Sequence, residues 1–120
     1  YAFCGNVDYW YGVEIADRLQ LLKEEVTAVF CTADILAMGL IKGLGRHGVK
    51  VPEDMSIIGF DDVFIAKVTD PALTTVNQNV AAKGERAAKM IIGLAARSLK
   101  GKQNYVIPIE VVERESVKEV

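Results

Sequence analysis

Two kinds of segment alternate along this chain, and they differ in the spacing of their hydrophobic positions. Short apolar runs bounded by polar or turn residues predict strands at about residues 1–4, 27–31, 55–60, 73–78 and 105–112. Between them, apolar residues recur at helical spacing and predict helices at about 9–24, 34–47 and 80–100. Strands that alternate with helices are typical of βαβ units. The pattern therefore predicts an α/β fold in which a parallel sheet is flanked by helices.

Composition limits the chain to one modest core. The 120 residues are 51% hydrophobic, which suits one domain or one lobe. A net charge of −2 provides no basic surface for phosphates, so we expect no direct DNA binding by this segment. No apolar stretch is long enough to span a membrane, and the first residues lack the pattern of a signal peptide. We therefore expect a cytoplasmic protein without a membrane partner, and a start inside a strand predicts further sequence upstream.

Few residues could support catalysis, a metal or a nucleotide. His47 is the only histidine, and its place in the last turn of the second predicted helix suits the helix dipole better than a catalytic base. Cys4 and Cys31 each end an apolar run, where cysteine usually behaves as a small hydrophobe. The glycines of residues 39–48 lie within or just past a helix, not on a phosphate-binding turn. We expect no enzyme activity, no cofactor and no metal.

Two carboxylates follow the third predicted strand, where Met55-Ser56-Ile57-Ile58 leads into Gly59-Phe60-Asp61-Asp62. Open α/β sheets bind small ligands in the crevice outside the carboxyl ends of their strands. Neighbours in an extended strand point to opposite sides, so we expect only one of the two to face a ligand. Asp61 could accept hydrogen bonds from vicinal hydroxyls or ring N–H groups, and the Gln78 amide could both donate and accept. The alternative is that Asp61 caps a turn or the next helix.

The second predicted helix is rich in glycine. Gly39, Gly43 and Gly45 each cost about 1 kcal/mol relative to alanine within a helix, which predicts close backbone packing on one side. Ile35 and Met38 lie among apolar residues that cover more than one face, so both a partner surface and core packing stay open for them.

A series of short motifs extends over almost the whole chain. In order, they are Ala28-Val29-Phe30-Cys31-Thr32-Ala33-Asp34, Ala37-Met38-Gly39, Val51-Pro52-Glu53-Asp54, Gly59-Phe60-Asp61-Asp62, Pro71-Ala72-Leu73-Thr74-Thr75-Val76-Asn77-Gln78 and Glu113-Arg114-Glu115-Ser116. In this order and at this spacing, the motifs resemble the effector-binding core of the LacI/GalR family of bacterial transcription regulators. The resemblance implies a flavodoxin-like lobe of a periplasmic-binding-protein-like fold, with a small-molecule effector bound between two lobes.

The resemblance also implies roles for particular residues. By similarity, Asp61 binds the effector and Gln78 lies at the edge of the pocket. Two further pocket positions depart from the family, since Ala33 stands where an asparagine is usual and Val7 where an aromatic residue often stacks on a sugar. Without that amide and aromatic face, typical sugar contacts are missing. The effector's identity stays open, with a sugar or sugar phosphate favoured over a nucleobase.

The family's two-lobed core implies a division of this chain. Residues of about 1–78 and 109–118 correspond to most of the C-terminal lobe, and about 79–108 correspond to a crossover helix and strand of the N-terminal lobe. Residues 1–120 would thus form a partial effector-binding domain, and operator DNA would be bound only through an N-terminal headpiece outside it. The apolar stripe of the helix at about 80–100 would then lack its own sheet, so we expect it to fold back onto this lobe or to pack against another copy.

The family's C-terminal lobes self-associate, which implies a homodimer interface on this lobe. Its expected residues are Ile35, Met38, Phe64 and Val68.

Three functions are weighed on these observations. The first is the effector-binding and dimerising part of a LacI-type regulator. The second is a periplasmic sugar-binding protein of a transport system, which would share the fold and be exported. The third is an enzyme on a flavodoxin-like sheet, which lacks an evident base, nucleophile or phosphate loop. The family motifs favour the regulator.

Overall fold

The computed structural model describes residues 2–3, 5–98, 101 and 103–119. It contains three α-helices among these residues, α1 (Tyr9–Leu19), α2 (Asp34–Arg46) and α3 (Val80–Ala95). Its four strands are β1 (Ala28–Phe30), β2 (Ser56–Phe60), β3 (Thr74–Asn77) and β4 (Glu110–Val112). Two short 3-10 turns complete the elements, at Gln20–Leu22 and Phe64–Lys67.

The strands form one sheet in the order β1-β2-β3-β4. β1, β2 and β3 are parallel, as the alternation of strands and helices predicts, whereas β4 returns antiparallel to β3. The α/β prediction is confirmed, and the sheet is mixed rather than wholly parallel. In the register, Phe60 is paired with Val76, so the carboxyl ends of β2 and β3 lie side by side. The residues that follow these two strands therefore meet at one edge of the sheet.

α1 and α2 pack against each other and against one face of the sheet. A Cβ on Gly12 would lie 2.2 Å from the Leu36 carbonyl oxygen, and one on Gly39 would lie 1.9 Å from the Tyr9 carbonyl oxygen. The glycines thus allow the two helix backbones to touch, which confirms the close packing expected for α2. Beneath them lies the core, formed by Ile15, Ala16, Leu19, Cys31, Ala37, Leu40, Leu44, Val49, Met55, Ile57, Ala66 and Leu73.

The C-terminal motif ties the end of the chain to the starts of β2 and β3. Ser116 is fully buried, and its hydroxyl donates to the Ile57 carbonyl oxygen at 2.6 Å and accepts from the Thr74 amide at 2.8 Å. Glu115 exchanges hydrogen bonds with Ala72, since its amide donates to the Ala72 carbonyl and its carboxylate accepts from the Ala72 amide. Glu115 and Ser116 therefore stabilise the fold at the starts of β2 and β3.

α3 and residues 103–109 extend away from this lobe, and we call them the arm. The Arg86 guanidinium lies 4.2 Å from the centre of the Tyr105 ring, so the strand-like return segment runs beside the helix. The molecule measures 59 × 26 × 23 Å, and Ile91 and Ile92 of α3 are 67% and 66% exposed. The expectation that the helix folds back onto this lobe's sheet is therefore wrong for the single chain, and packing against another copy stays a prediction.

Two predicted helices, α1 and α3, end earlier in the structure than expected. α3 ends at Ala95 rather than near residue 100, because Arg97 adopts a left-handed φ of 56°. The Ser98 and Arg97 amides then donate to the carbonyls of Gly93 and Leu94, as in a Schellman motif. α1 gives way to a 3-10 turn after Leu19.

Two predicted strands are shorter than expected or absent. The strand predicted at 105–112 begins only at Glu110, because Glu110 already pairs with Asn77 at the end of β3 and earlier residues run past it. Ala2 and Phe3 lie in no strand, and the rest of the segment predicted at 1–4, Tyr1 and Cys4, falls outside the described residues.

Candidate functional site

Asp61 and Gln78 lie together at the carboxyl edge of the sheet. Asp61 follows β2 and Gln78 follows β3, and the register of the two strands brings their side chains into contact. The Gln78 side-chain Nε2 donates to Asp61 Oδ1 at 2.5 Å, and Gln78 Oε1 accepts from the Lys83 ammonium. Asp61 is partly buried, so one side of it stays accessible. The edge thus presents a carboxylate and an amide held in a fixed relation.

The backbone turns sharply at the two aspartates. φ is 116° at Asp61 and 53° at Asp62, whereas the Asp61 amide still donates to the Val76 carbonyl of β3 at 3.0 Å. Positive φ is uncommon for residues other than glycine, and such strained positions cluster at ligand-binding sites. The backbone at the two aspartates is therefore not extended, and the predicted reason for the divergence of their side chains is wrong. They diverge because the chain turns here.

Asp62 points into the protein instead of toward a ligand. One of its oxygens accepts from the Arg114 guanidinium at 2.5 Å and the other from the Asn77 amide at 2.9 Å. The side chains of Arg114 and Asp62 are only 13% and 7% exposed. Burial alone would raise the pKa of Asp62, but the hydrogen bonds and charge of Arg114, with the Asn77 amide, lower it below its ordinary value of 3.8. The ion pair secures the base of the turn that carries Asp61.

Asp34 supports the same turn from below. Its carboxylate, fully buried, accepts from the Thr75 hydroxyl at 2.5 Å and from the Val63 amide at 2.8 Å. A Cβ on Gly59 would lie 2.3 Å from Asp34 Oδ1, which explains why glycine precedes Phe60. Ala33 takes the N-cap position of α2, and the Asp34 carboxylate is used by β3 and the turn.

Four residues that support the Asp61 turn were not predicted from the sequence as part of the site: Arg114, Asp62, Asn77 and Thr75. Their contacts join segments far apart in the chain, and Arg114 lies 52 positions from Asp62. The only signal was that all four belong to the family motifs quoted above.

The two other predicted pocket positions differ in their surroundings. Val7 lies in an exposed loop before α1, and Ala33 is buried at the start of α2. Neither side chain can form a hydrogen bond, so either could supply only an apolar contact. Their effector-binding role stays a prediction.

The residues predicted for the dimer interface are unequal in their exposure. Phe64, Val68 and Ile35 are 76%, 60% and 41% exposed. Met38 is half-buried and packs against the core, so it belongs more to the lobe's interior than to a surface. Exposed apolar side chains at these three positions suit a partner surface, and the dimer itself stays a prediction.

The family model for a periplasmic binding protein-like domain matches residues 3–117. The chain belongs to this family. It is 37% identical over 118 residues to the HTH-type transcriptional repressor PurR of Mannheimia succiniciproducens, covering 98% of this chain and 35% of the repressor. The chain thus spans about a third of the length of the curated relatives it matches.

Solved structures support the same assignment. The transcription regulator CcpA of Lactococcus lactis superposes with a TM-score of 0.85 at 33% identity, covering 95% of this chain and 41% of that one. A LacI family transcriptional regulator from Enterococcus faecium with bound ribose gives a TM-score of 0.83 at 32% identity, covering 92% and 40%. The resemblance to the effector-binding core of LacI-type regulators is confirmed. These relatives are regulators rather than enzymes, and they do not favour the periplasmic transport alternative.

His47 and Cys31, the described residues that could support other chemistry, both have structural contacts in this fold. The His47 ring Nε2 lies 2.7 Å from Asp17 Oδ1, so it links the end of α2 to α1. Cys31 is buried beside Asp34, and burial, with the nearby carboxylate, raises the pKa of its thiol to about 12. Among the described residues, no helix is long and apolar enough to cross a membrane.

Proposed function

We propose that this chain is the effector-binding segment of a cytoplasmic LacI-type transcriptional regulator, and that Asp61 and Gln78 bind its effector. The observation that carries the proposal is their contact at the carboxyl edge of the sheet, on a backbone turn with positive φ. Gln78 binds Asp61 through Oδ1, so Oδ2 is the oxygen that would accept from a ligand. The second N–H of the Gln78 amide would donate to the same ligand.

A carboxylate beside an amide N–H fits a vicinal diol, because one hydroxyl can donate to Asp61 while its neighbour accepts from Gln78. The ribose bound by the Enterococcus faecium regulator supports a sugar. A nucleobase with adjacent donor and acceptor atoms would meet the same pair. Since the matched sequences are repressors called PurR, the preference for a sugar over a nucleobase stays a prediction.

Binding would act on DNA through the relative placement of two lobes. The arm leaves the lobe directly after Gln78, so a ligand held at Asp61 and Gln78 would sit at the junction between lobe and arm. A ligand that binds one arrangement more tightly shifts the population toward it. By linkage, the factor by which the ligand changes operator affinity equals the factor by which the operator changes ligand affinity. Operator contact would come from a headpiece outside this chain, in a homodimer formed through Ile35, Phe64 and Val68.

The test is titration of the full-length regulator with ribose and, separately, with adenine. Calorimetry gives affinity, and fluorescence anisotropy of a labelled operator gives the effect on DNA binding. We expect ribose to bind saturably and to change operator affinity. If adenine binds saturably and ribose does not, the site binds nucleobases rather than sugars. If a ligand binds but operator affinity stays unchanged, the regulatory role is contradicted.

A further inference from the structure

Lys83 completes a chain of polar contacts that begins at the proposed effector carboxylate. Gln78 Nε2 donates to Asp61 Oδ1 at 2.5 Å, and Lys83 Nζ donates to Gln78 Oε1. The amide is therefore held at both ends, with its carbonyl oxygen on the ammonium and its N–H on the carboxylate. A hydrogen bond at the carbonyl polarises the amide and strengthens the donor at its other end.

The position of Lys83 is unfavourable for the helix that carries it. It lies in the first turn of α3, which contains no acidic residue. The helix dipole places partial positive charge at this end, so a cation here is unfavourable for the helix. Helix formation therefore does not explain a lysine at this position, whereas the hydrogen bond from Lys83 to Gln78 does.

The segment between β3 and α3 fixes where Lys83 starts. Asn79 has a left-handed φ of 51°, and its side chain accepts from the Ala82 amide at 3.2 Å to cap α3. Its own amide donates to Asn77 Oδ1 at 2.7 Å, and the Lys83 amide donates to the Asn79 carbonyl at 3.0 Å. The backbone thus turns once between strand and helix, and the Lys83 side chain reaches back across that turn.

We propose that Lys83 is a positioning residue for the effector site: it holds the Gln78 amide against Asp61 and thereby couples the orientation of the arm to ligand binding. This inference rests on the proposed function, since it assigns a regulatory link to the same site. Because the arm does not pack on the lobe's sheet, this chain of side chains is a direct connection between arm and ligand. Any ligand that tightens the Asp61–Gln78 contact also restrains α3 through Lys83, and by linkage the reverse holds.

α3 offers a matched control for the loss of charge. Lys89 is paired with Glu85 one turn earlier on the same helix, and both side chains are about two-thirds exposed. The hydrogen bond of Lys89 is made to Glu85, within α3 itself. Lys89→Met therefore removes one ammonium from the same helix and leaves the contact between Lys83 and Gln78 in place.

The first experiment follows the side-chain amide of Gln78 by NMR in the 120-residue chain. We expect Lys83→Met to lower the order parameter of the Gln78 amide group and to move its nitrogen resonance. Lys83→Arg should keep both near the parent values, because arginine can also donate to the amide oxygen. Lys89→Met should change neither. A Gln78 amide that is equally ordered and unshifted in Lys83→Met would overturn the inference.

The second experiment measures affinity for ribose and for adenine in the full-length regulator. We expect Lys83→Met to weaken binding of whichever probe binds by about fivefold, the lower end of typical coupling between sites, and Lys89→Met to leave it unchanged. If Asp61→Asn weakens binding and Lys83→Met does not, the inference is wrong and the proposed function stands. If Asp61→Asn also has no effect, the site assignment fails, and the coupling to ligand fails with it.

Discussion

Asp61 and Asp62 are neighbours in the chain, but their surroundings separate their roles. Asp62 is buried in an ion pair with Arg114, whereas Asp61 is partly buried beside an amide at the sheet edge. A buried pair of this kind secures local structure, since removing either partner would leave an uncompensated charge. The strained turn at Asp61 is therefore held from beneath by Asp62, and Asp61 is left to meet a ligand.

The Asp62–Arg114 pair predicts a particular acid sensitivity. Arg114 lowers the folded-state pKa of Asp62 below 3.8, so between the two values the unfolded chain binds more protons than the folded chain. The stabilisation is complete above 3.8 and is lost as pH falls through that value toward the lowered pKa. We expect urea unfolding between about pH 5 and about pH 2 to show a shallower loss of stability in Asp62→Asn than in the parent.

The exposed Asp70 gives the control for this acid titration. Asp70→Asn should keep the steep loss of the parent chain. Equal slopes in Asp62→Asn and the parent would show that the ion pair does not stabilise the fold.

The sequence predicted the two residues that are proposed to face a ligand, but it did not predict the residues that hold them in place. Asp61 follows one predicted strand and Gln78 ends the next, and parallel strands end at one edge, so their proximity could be expected. The Asp62–Arg114 contact could not, because it depends on the positive φ at Asp62 and on an antiparallel return strand. Neither feature has a local sequence signal.

Among the elements, α1 and α2 were the most predictable. Their contact requires glycine, because the two helix backbones touch. The helical spacing of apolar residues located both, and the glycines of α2 indicated close packing. The end of α3 was not predictable, because Arg97 takes the left-handed position that glycine usually occupies. The sequence predicted a strand that includes β4, at about 105–112, but not its short length or its antiparallel direction, because both depend on its pairing with β3.

The helix contact predicts opposite effects for two glycines of α2. Gly39→Ala should destabilise the chain by about 1–3 kcal/mol, because the new Cβ would meet the Tyr9 carbonyl and force the helices apart. Gly45 has nothing within 4 Å of its Cβ position, so Gly45→Ala should stabilise by up to about 1 kcal/mol. Urea unfolding of both variants measures the difference. Similar effects of the two substitutions would show that α1 and α2 do not pack this closely.

On the scale of the whole molecule, the arm is the unusual feature. Isoleucines of α3 remain in water, and exposed apolar area costs about 25 cal/mol for each Å². The assignment of the arm to a second lobe comes from the family resemblance and stays a prediction. The helical spacing of apolar residues located α3, but only the structure shows that α3 extends away from the sheet of this lobe.

The exposed arm predicts self-association of the 120-residue chain. We expect sedimentation velocity over a concentration series to show a monomer–dimer equilibrium that Ile91→Glu shifts toward monomer, because a charge on the stripe opposes its burial. Phe64→Glu tests the other expected interface, that of Ile35, Phe64 and Val68. Lys42→Glu, on an exposed position of α2, is the control. A parent chain that stays monomeric at all concentrations would contradict the expectation.

Calorimetry of the full-length regulator with its bound probe, ribose or adenine, tests the central claim most directly. Asp61→Asn should weaken binding by about 1.5–3 kcal/mol, the usual contribution of a hydrogen bond to a charged group. Glu24→Gln, which removes an equal charge from a side chain that is 89% exposed, should leave the affinity unchanged. An affinity equal to that of the parent in Asp61→Asn would show that the effector binds elsewhere.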